Sequence, residues 1–310
     1  MKYRSIGSLS ASVIGFGCWQ LGGEYWGEIN ITDCQKAIGL ALDRGINFFD
    51  TAPLYGNGTA DIRLLDALGP KRHNVVIATK TGVETSGAHA RSNLSPAFVR
   101  SDIQASLKRL RLESIPLLQV HWPCEVGTPL ADTFSMLQQL QQEGLIQNVG
   151  ICNYPAKDIP TIQRYVKLAS IQSAYSMIRR EIEADIIPLA KRSNISLIGY
   201  EVLARGLLTG KYLSEPTFPS TDLRSHDPRF SGARFASYRP LVQNLRKISH
   251  KVDLPVCAVT IAWGLQRVDI ALVGIKTPQQ LVHNAKAIRL LNAPKIHQTI
   301  DTILSLLNIV

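Results

Sequence analysis

The chain has 310 residues, is 45% hydrophobic and carries a formal net charge of +10. Its mean hydropathy is +0.03, and no apolar run approaches the ~20 residues of a membrane span, which excludes a transmembrane helix. The N-terminus, Met1-Lys2-Tyr3-Arg4-Ser5, lacks the apolar core of a signal peptide, so a cytoplasmic protein is expected.

Five cysteines, Cys18, Cys34, Cys124, Cys152 and Cys257, form no CxxC pair. Reduced thiols and no metal site follow. Lysine and arginine are spread along the chain without a basic block. That points to a solvated basic surface and away from nucleic-acid binding, and the field suits a polyanionic cofactor.

Tyr3 to Ile6 and Ala11 to Val13 flank a Gly-Ser turn region and predict a hairpin. Ile14 to Cys18 follows as the first strand of a larger sheet. Thr32 is the expected N-cap of a helix whose face is Cys34, Ile38, Ala41 and Leu42, with Gly45 as its stop. Asn47 to Asp50 is the second strand, and Val75 to Thr79, rich in β-branched residues, is the third. Ser95-Pro96 opens a helix striped by Val99, Ile103, Leu107 and Leu110. Leu117 to Val120 is the fourth strand, and Leu130, Phe134, Leu137 and Leu140 mark the next helix. Ile146 to Ile151 is the fifth strand, with a helix expected within Ala156 to Leu168. Ile171-Gln172 belongs to a short sixth strand, Glu183 to Arg192 is helical, and Ile195 to Tyr200 is the seventh strand. A long loop is expected from about Leu213 to Pro240. Helices then surround Leu241 to Val252 and Val256 to Leu265, before the eighth strand at Ile270 to Val273. Helices near Pro278 to Ala287 and Lys295 to Leu307 close the chain.

Strand and helix alternating about eight times predict a parallel sheet, and right-handed crossovers of this number close into a (β/α)8 TIM barrel. The expected fold is α/β: that barrel over residues 1–310 as one domain, with an N-terminal β-hairpin and extra C-terminal helices. An open doubly wound sheet is the alternative, but Gly15-Phe16-Gly17 supplies only two glycines of a phosphate turn.

In a barrel the carboxyl ends of the strands share one mouth. Asp50, Lys80 and His121 each stand at such an end, and Tyr55 lies in the loop beyond Asp50. A tyrosine phenol, with pKa near 10, is too weak an acid on its own at neutral pH. A neighbouring Lys80 ammonium is expected to lower that value, with Asp50 holding the ammonium charged and aimed. His121 can orient a carbonyl oxygen. Such a site protonates an oxygen as negative charge builds there. No serine or cysteine sits in a nucleophile motif, so hydride from a nicotinamide is the natural complement.

The matching stretches are Gly15-Phe16-Gly17, Asp50-Thr51-Ala52 with Tyr55-Gly56, Thr79-Lys80 and Gln119-Val120-His121-Trp122-Pro123. Val149 to Asn153, Ile171-Gln172, Gly206 to Lys211 and Gly274 to Thr277 through Asn284 continue the series. In this order and spacing the chain resembles the aldo-keto reductase family over essentially its whole length. The Gly-Leu-Leu-Thr-Gly-Lys stretch looks most like bacterial and plant members related to potassium-channel β-subunits. The resemblance implies a catalytic tetrad of Asp50, Tyr55, Lys80 and His121, and NADPH bound in an extended pose. It implies Asn153 and Gln172 on the nicotinamide carboxamide and Tyr200 stacked under the ring. Leu203, Gly206 and Lys211 would lie along the pyrophosphate, with Arg224 as a further clamp. Lys276, Thr277 and Gln280 would meet the 2′-phosphate and Asn284 the adenine; Thr277 also reads as a plain helix N-cap.

The chain departs from the family pattern at four places. Cys152 replaces a serine, Thr59-Ala60-Asp61 replaces an Arg-Ser-Glu run, Pro116 replaces a strand aspartate, and Thr277 stands where relatives carry another basic residue. These leave NADPH against NADH open and the tetrad intact. Trp19, Trp26, Leu54, Trp122 and the loop around Phe230 are candidate pocket walls, with Trp19 and Phe230 read as packing residues. The expected activity is reversible reduction of an aldehyde or ketone, a small-molecule substrate, with no nucleic-acid or membrane partner. The oligomeric state, monomer or homo-oligomer, stays open. The alternative is an NADPH-binding regulatory subunit that senses redox state with little turnover.

Overall fold

The computed structural model describes residues 1–86 and 89–309. β1 (Tyr3–Ile6) and β2 (Leu9–Ser12) form an antiparallel hairpin. β3 (Ile14–Gly17), α1 (Ile31–Asp43), β4 (Phe48–Asp50), α2 (Thr59–Leu68) and β5 (Val76–Thr81) follow. A second hairpin, β6 (Val83–Ser86) with β7 (His89–Ser92), precedes α3 (Pro96–Leu110) and β8 (Ile115–Val120). Next come α4 (Leu130–Gln142), β9 (Ile146–Cys152), α5 (Ile159–Ile162), β10 (Leu168–Ala174), α6 (Ile186–Arg192) and β11 (Ser196–Tyr200). α7 (Gly232–Val252), α8 (Val256–Gly264), β12 (Ile270–Gly274), α9 (Pro278–Ala285) and α10 (Pro294–Leu306) complete the chain.

β3, β4, β5, β8, β9, β10, β11 and β12 pair in that order, and β12 returns to β3 to close the barrel. Every one of these pairings is parallel. Side chains alternate between the two faces of each strand. Phe48, Val76, Ala78, Leu117, Ile198 and Ile270 fill the inside of the barrel. Phe49, Ile77, Leu118, Val149 and Ile171 point outward into the helical layer with Leu64, Ile103 and Leu137. The N-terminal hairpin closes the end where the strands begin: Ile6 and Ala11 join the inner cluster, and Asn47 Nδ2 donates to the Ser10 carbonyl.

The same two-residue period carries the chemistry. Two residues beyond Phe48 is Asp50, two beyond Ala78 is Lys80, and two beyond Leu117 is Gln119. The apolar filling therefore gives way, at the carboxyl ends, to a polar top layer.

Several boundaries differ from the sequence expectation. α1 is capped by Asn30, whose side chain accepts from the Asp33 amide, and not by Thr32. Ser95 occupies an N-cap position without a side-chain capping bond, so Pro96 carries that helix start. The sixth strand is seven residues long, while the helix before it shrinks to four. α2 was not expected; Ala60, Leu64, Leu65 and Leu68 are its buried face. The long loop ends at Ser231 because α7 starts at Gly232 and runs through Pro240. The proline ring removes the bond to the carbonyl of Ala236, but both residues are exposed and water can satisfy that group.

Candidate active site

β4 ends in Asp50 and the loop behind it lifts Tyr55 back over the mouth. Gly56 sits at φ +57°, and a Cβ there would lie 2.4 Å from the Gly22 carbonyl oxygen. Two backbones thus touch, a contact only glycine permits, and Tyr55 is pressed beside Trp19 with ring centroids 5.9 Å apart. β5 delivers Lys80, whose Nζ donates to Asp50 Oδ1 at 2.5 Å, to the Thr51 carbonyl at 3.0 Å and to the Tyr55 hydroxyl at 3.2 Å. Asp50 Oδ2 accepts from Gln172 Nε2 at 2.8 Å and Gln119 Nε2 at 3.1 Å. The His121 ring, beyond β8, meets Tyr55 edge-on at 6.0 Å. The four expected tetrad residues converge.

Asp50 and Lys80 are each 1% exposed. Burial by itself pushes the Lys80 ammonium down, but Asp50, then Tyr55, outweigh it and hold the ammonium above the ordinary lysine range. Tyr55 corrects the sequence expectation. Burial raises its phenol well above the ordinary tyrosine value, and Lys80 offsets only part of that rise. Tyr55 is therefore a firmly protonated donor, not a lowered acid. Burial first, then Lys80, lowers His121 well below the usual histidine value, so it is a neutral imidazole at pH 7.

Positioning residues unseen from sequence stand behind this group. Gln119 reads as an ordinary strand residue until its parity is known. Fully buried Asp61 accepts from Thr51 Oγ1 at 2.6 Å and from Arg109 Nε at 2.8 Å. Asp61 thereby anchors the residue whose carbonyl holds Lys80, which gives the Thr59-Ala60-Asp61 departure a definite role. Cys152 is buried beside the tetrad as a thiol whose pKa burial raises, against the lowering effect of Lys80.

The mouth opens into a cavity of about 1380 Å³. Asn153, Gln172, Tyr200, Leu203, Gly206, Lys211, Arg224, Lys276, Gln280 and Asn284 all line it. Tyr200 donates to Asn153 Oδ1 at 2.8 Å, and Asn153 Nδ2 donates to the His121 carbonyl at 3.0 Å. Thr277 is the exception: its hydroxyl accepts from the Gln280 amide at 3.2 Å as the N-cap of α9, the plain reading of that residue. Trp26, Leu54 and Trp122 line the cavity as expected, and so does Trp19, read from sequence as packing. Phe230 packs edge-on against Tyr212 and Phe218, away from the cavity. Arg179, Gln279 and His283 also face the cavity and were not singled out by sequence.

The far end is cationic. Burial, then the nearby Arg224, lowers both Lys211 and Lys276, with Asp222 opposing. Arg224 is itself held by Asp222 at 2.5 Å and by the Tyr212 hydroxyl at 3.1 Å. The Trp26 indole N–H, also in the cavity wall, is buried without a protein partner.

A sequence model described as "Aldo/keto reductase family" matches residues 13–305. The aldo-keto reductase YhdN of Bacillus subtilis (strain 168) is 36% identical over 91% of this chain and 87% of its own length. The NADH-specific methylglyoxal reductase of Escherichia coli (strain K12) is 29% identical over 94% of each chain. The glycerol dehydrogenase AKR11B4 of Gluconobacter oxydans superposes with a TM-score of 0.90 at 33% identity, covering 98% of this chain and 94% of that one.

The chain belongs to the aldo/keto reductase family. It is an oxidoreductase that reduces carbonyl compounds with a nicotinamide dinucleotide, NAD(P)H. The residues present fit that group. The cavity exceeds the ~300–1,000 Å³ of a typical small-ligand pocket. At its cationic end Lys211 and Lys276 are lowered by burial and by the nearby Arg224, and an anion there would favour their charged forms. Gly206, at φ +97°, has nothing closer than 3.6 Å to a virtual Cβ, leaving room for close backbone approach. Among the described residues no helix is long and apolar enough to cross a membrane.

Proposed function

We propose that the chain is an NADPH-preferring, reversible reductase of small aldehydes or ketones, with Tyr55 as proton donor. The observation that carries this reading is the Lys80 ammonium bridging Asp50 at 2.5 Å and the Tyr55 hydroxyl at 3.2 Å. When bound, the reduced nicotinamide supplies hydride to the carbonyl carbon. The chain supplies everything on the oxygen side. Tyr55 and neutral His121 each offer one hydrogen to the carbonyl oxygen, fixing its position. As charge builds on that oxygen the Tyr55 proton passes to it, and the Lys80 ammonium stabilises the phenolate left behind. Asp50, held by Gln119 and Gln172, keeps the ammonium charged and aimed.

Asn153 and Gln172 hold the carboxamide, and Tyr200, tied through its hydroxyl to Asn153, presents its ring to the nicotinamide. Leu203, Gly206, Lys211 and Arg224 receive the pyrophosphate. Lys276 and Gln280, at the start of α9, receive the 2′-phosphate, and Asn284 the adenine. Preference for NADPH is supported by this wall: Lys276, Gln279, Gln280, His283 and Asn284 face the cavity and none is a carboxylate that would favour a free ribose hydroxyl. The relatives named for methylglyoxal reduction and glycerol oxidation support a small substrate handled in either direction.

The test is a panel of small aldehydes and ketones offered with NADPH and, in parallel, NADH. Consumption of NADPH with higher kcat/KM than NADH is expected. Tight NADPH binding without consumption on any carbonyl would overturn the reading in favour of a regulatory subunit.

A further inference from the structure

Arg179 and Arg205 both line the cavity and have no part in the proposed reaction; Arg205 is closely paired with carboxylates, and Arg179 is not. Arg179 stands in the tight turn after β10, where the Ser176 and Arg179 backbones exchange hydrogen bonds of 3.0 and 3.1 Å, so its backbone is fixed. Tyr200, at the end of the neighbouring strand, feels its charge. Tyr200 in turn bonds Asn153, which bonds the His121 carbonyl. Arg179 therefore shares the cavity wall with Tyr200, Asn153 and His121.

Its charge is poorly matched. Glu201 is bound by Arg205 at 2.7 Å and Arg229 at 3.2 Å, and reaches Arg179 only at 3.8 Å. Asp227 is likewise held by Arg229 at 2.6 Å and Arg205 at 3.2 Å. Three guanidiniums share two carboxylates, and the looser one is Arg179, its side chain 48% exposed. A loosely paired guanidinium on a cavity wall recognises a carboxylate or phosphate through two parallel hydrogen bonds.

We propose that Arg179 selects carbonyl substrates bearing an anionic oxyacid group, which it holds while the carbonyl lies at Tyr55 and His121. The inference rests on the reductase reading and names the substrate class for that same site. Hydrogen bonds to a charged partner correspond to roughly ten- to hundredfold discrimination.

The test compares 4-carboxybenzaldehyde with its neutral methyl ester, methyl 4-formylbenzoate. Wild-type protein is expected to favour the acid by at least about tenfold in kcat/KM. Arg179→Gln should bring the acid-to-ester ratio near one, and Arg179→Lys should restore part of it. Fluorescence titration with NADPH gives the second readout, with Kd in Arg179→Gln within about twofold of wild type. Equal kcat/KM for acid and ester in wild type would overturn the proposal while leaving the reductase reading standing. So would a tenfold weaker NADPH Kd with an unmoved ratio, which assigns Arg179 to the dinucleotide. Failure of wild type on the ester as well as the acid, with NADPH bound, would overturn both.

Discussion

The two ends of the cavity are built on opposite electrostatic plans. At the catalytic end the charges are paired within the protein: Lys80 with Asp50, Asp50 with Gln119 and Gln172, Asp61 with Arg109. Asp50, Lys80, Gln119 and Gln172 are buried on barrel strands, so their geometry is set by the barrel, and Asp61 on α2 with Arg109 on α3 braces them from behind. At the cationic end Lys211, Arg224 and Lys276 lie close together on loops, with Asp222 as the nearby carboxylate. One end is complete before any ligand arrives; the other is left with excess charge. A preorganised reaction centre loses least by being rigid, whereas a cofactor that must come and go is best met by a site its binding relieves.

Breaking the finished end should give the largest effect. Lys80→Met leaves the Asp50 carboxylate buried without its cation, and loss of one partner of a buried pair costs about 3–5 kcal/mol. Denaturant unfolding of Lys80→Met should show a loss of that size together with the collapse of turnover. An unchanged unfolding midpoint would mean that Asp50 is not held as described.

A smaller effect is expected at the unfinished end. Lys276→Ala should weaken NADPH binding by about tenfold and NADH by less than about twofold, because only the former carries the extra phosphate. Equal losses for the two cofactors would place Lys276 elsewhere along the dinucleotide.

A finer contrast comes from protons. Lys211 and Lys276 have folded-state pKa values below the ordinary lysine value, chiefly from burial. An arriving phosphate favours their charged forms, so binding should take up protons at alkaline pH, and the uptake should shrink as pH falls away from the lysine range. Calorimetry in two buffers of different ionisation heat measures this, and proton release at the alkaline pH would contradict it. The smallest expected change is at His121, whose pKa burial and Lys80 lower. As pH falls through the ordinary histidine range it stays neutral, so kcat/KM should show no inflection near pH 6.5.

The same division governs what could be read from the amino-acid order. The barrel and the meeting of Asp50, Tyr55, Lys80 and His121 were legible because strand periodicity is local and strand ends necessarily meet at one mouth. Gln119 and Asp61 were not, since their value depends on which face they turn and on partners such as Arg109, 48 positions away. The lowering expected for Tyr55 failed because a charge partner is visible in sequence but the depth of burial is not. α7 was cut short at Pro240 by a helix rule that solvent relaxes on an exposed face. The cationic end depends on Trp26 pairing with Asp222 and Lys276 reaching the Trp26 carbonyl, contacts between loops with no periodic signal.

The proposed reaction requires a buried phenol to give up its proton beside a fixed ammonium. Tyr55→Phe keeps the ring against Trp19 and removes only the hydroxyl. Single-turnover oxidation of bound NADPH by a good aldehyde should slow by ~10²–10⁴-fold while the NADPH Kd stays near that of wild type. Turnover within a few-fold of wild type would show that another group delivers the proton.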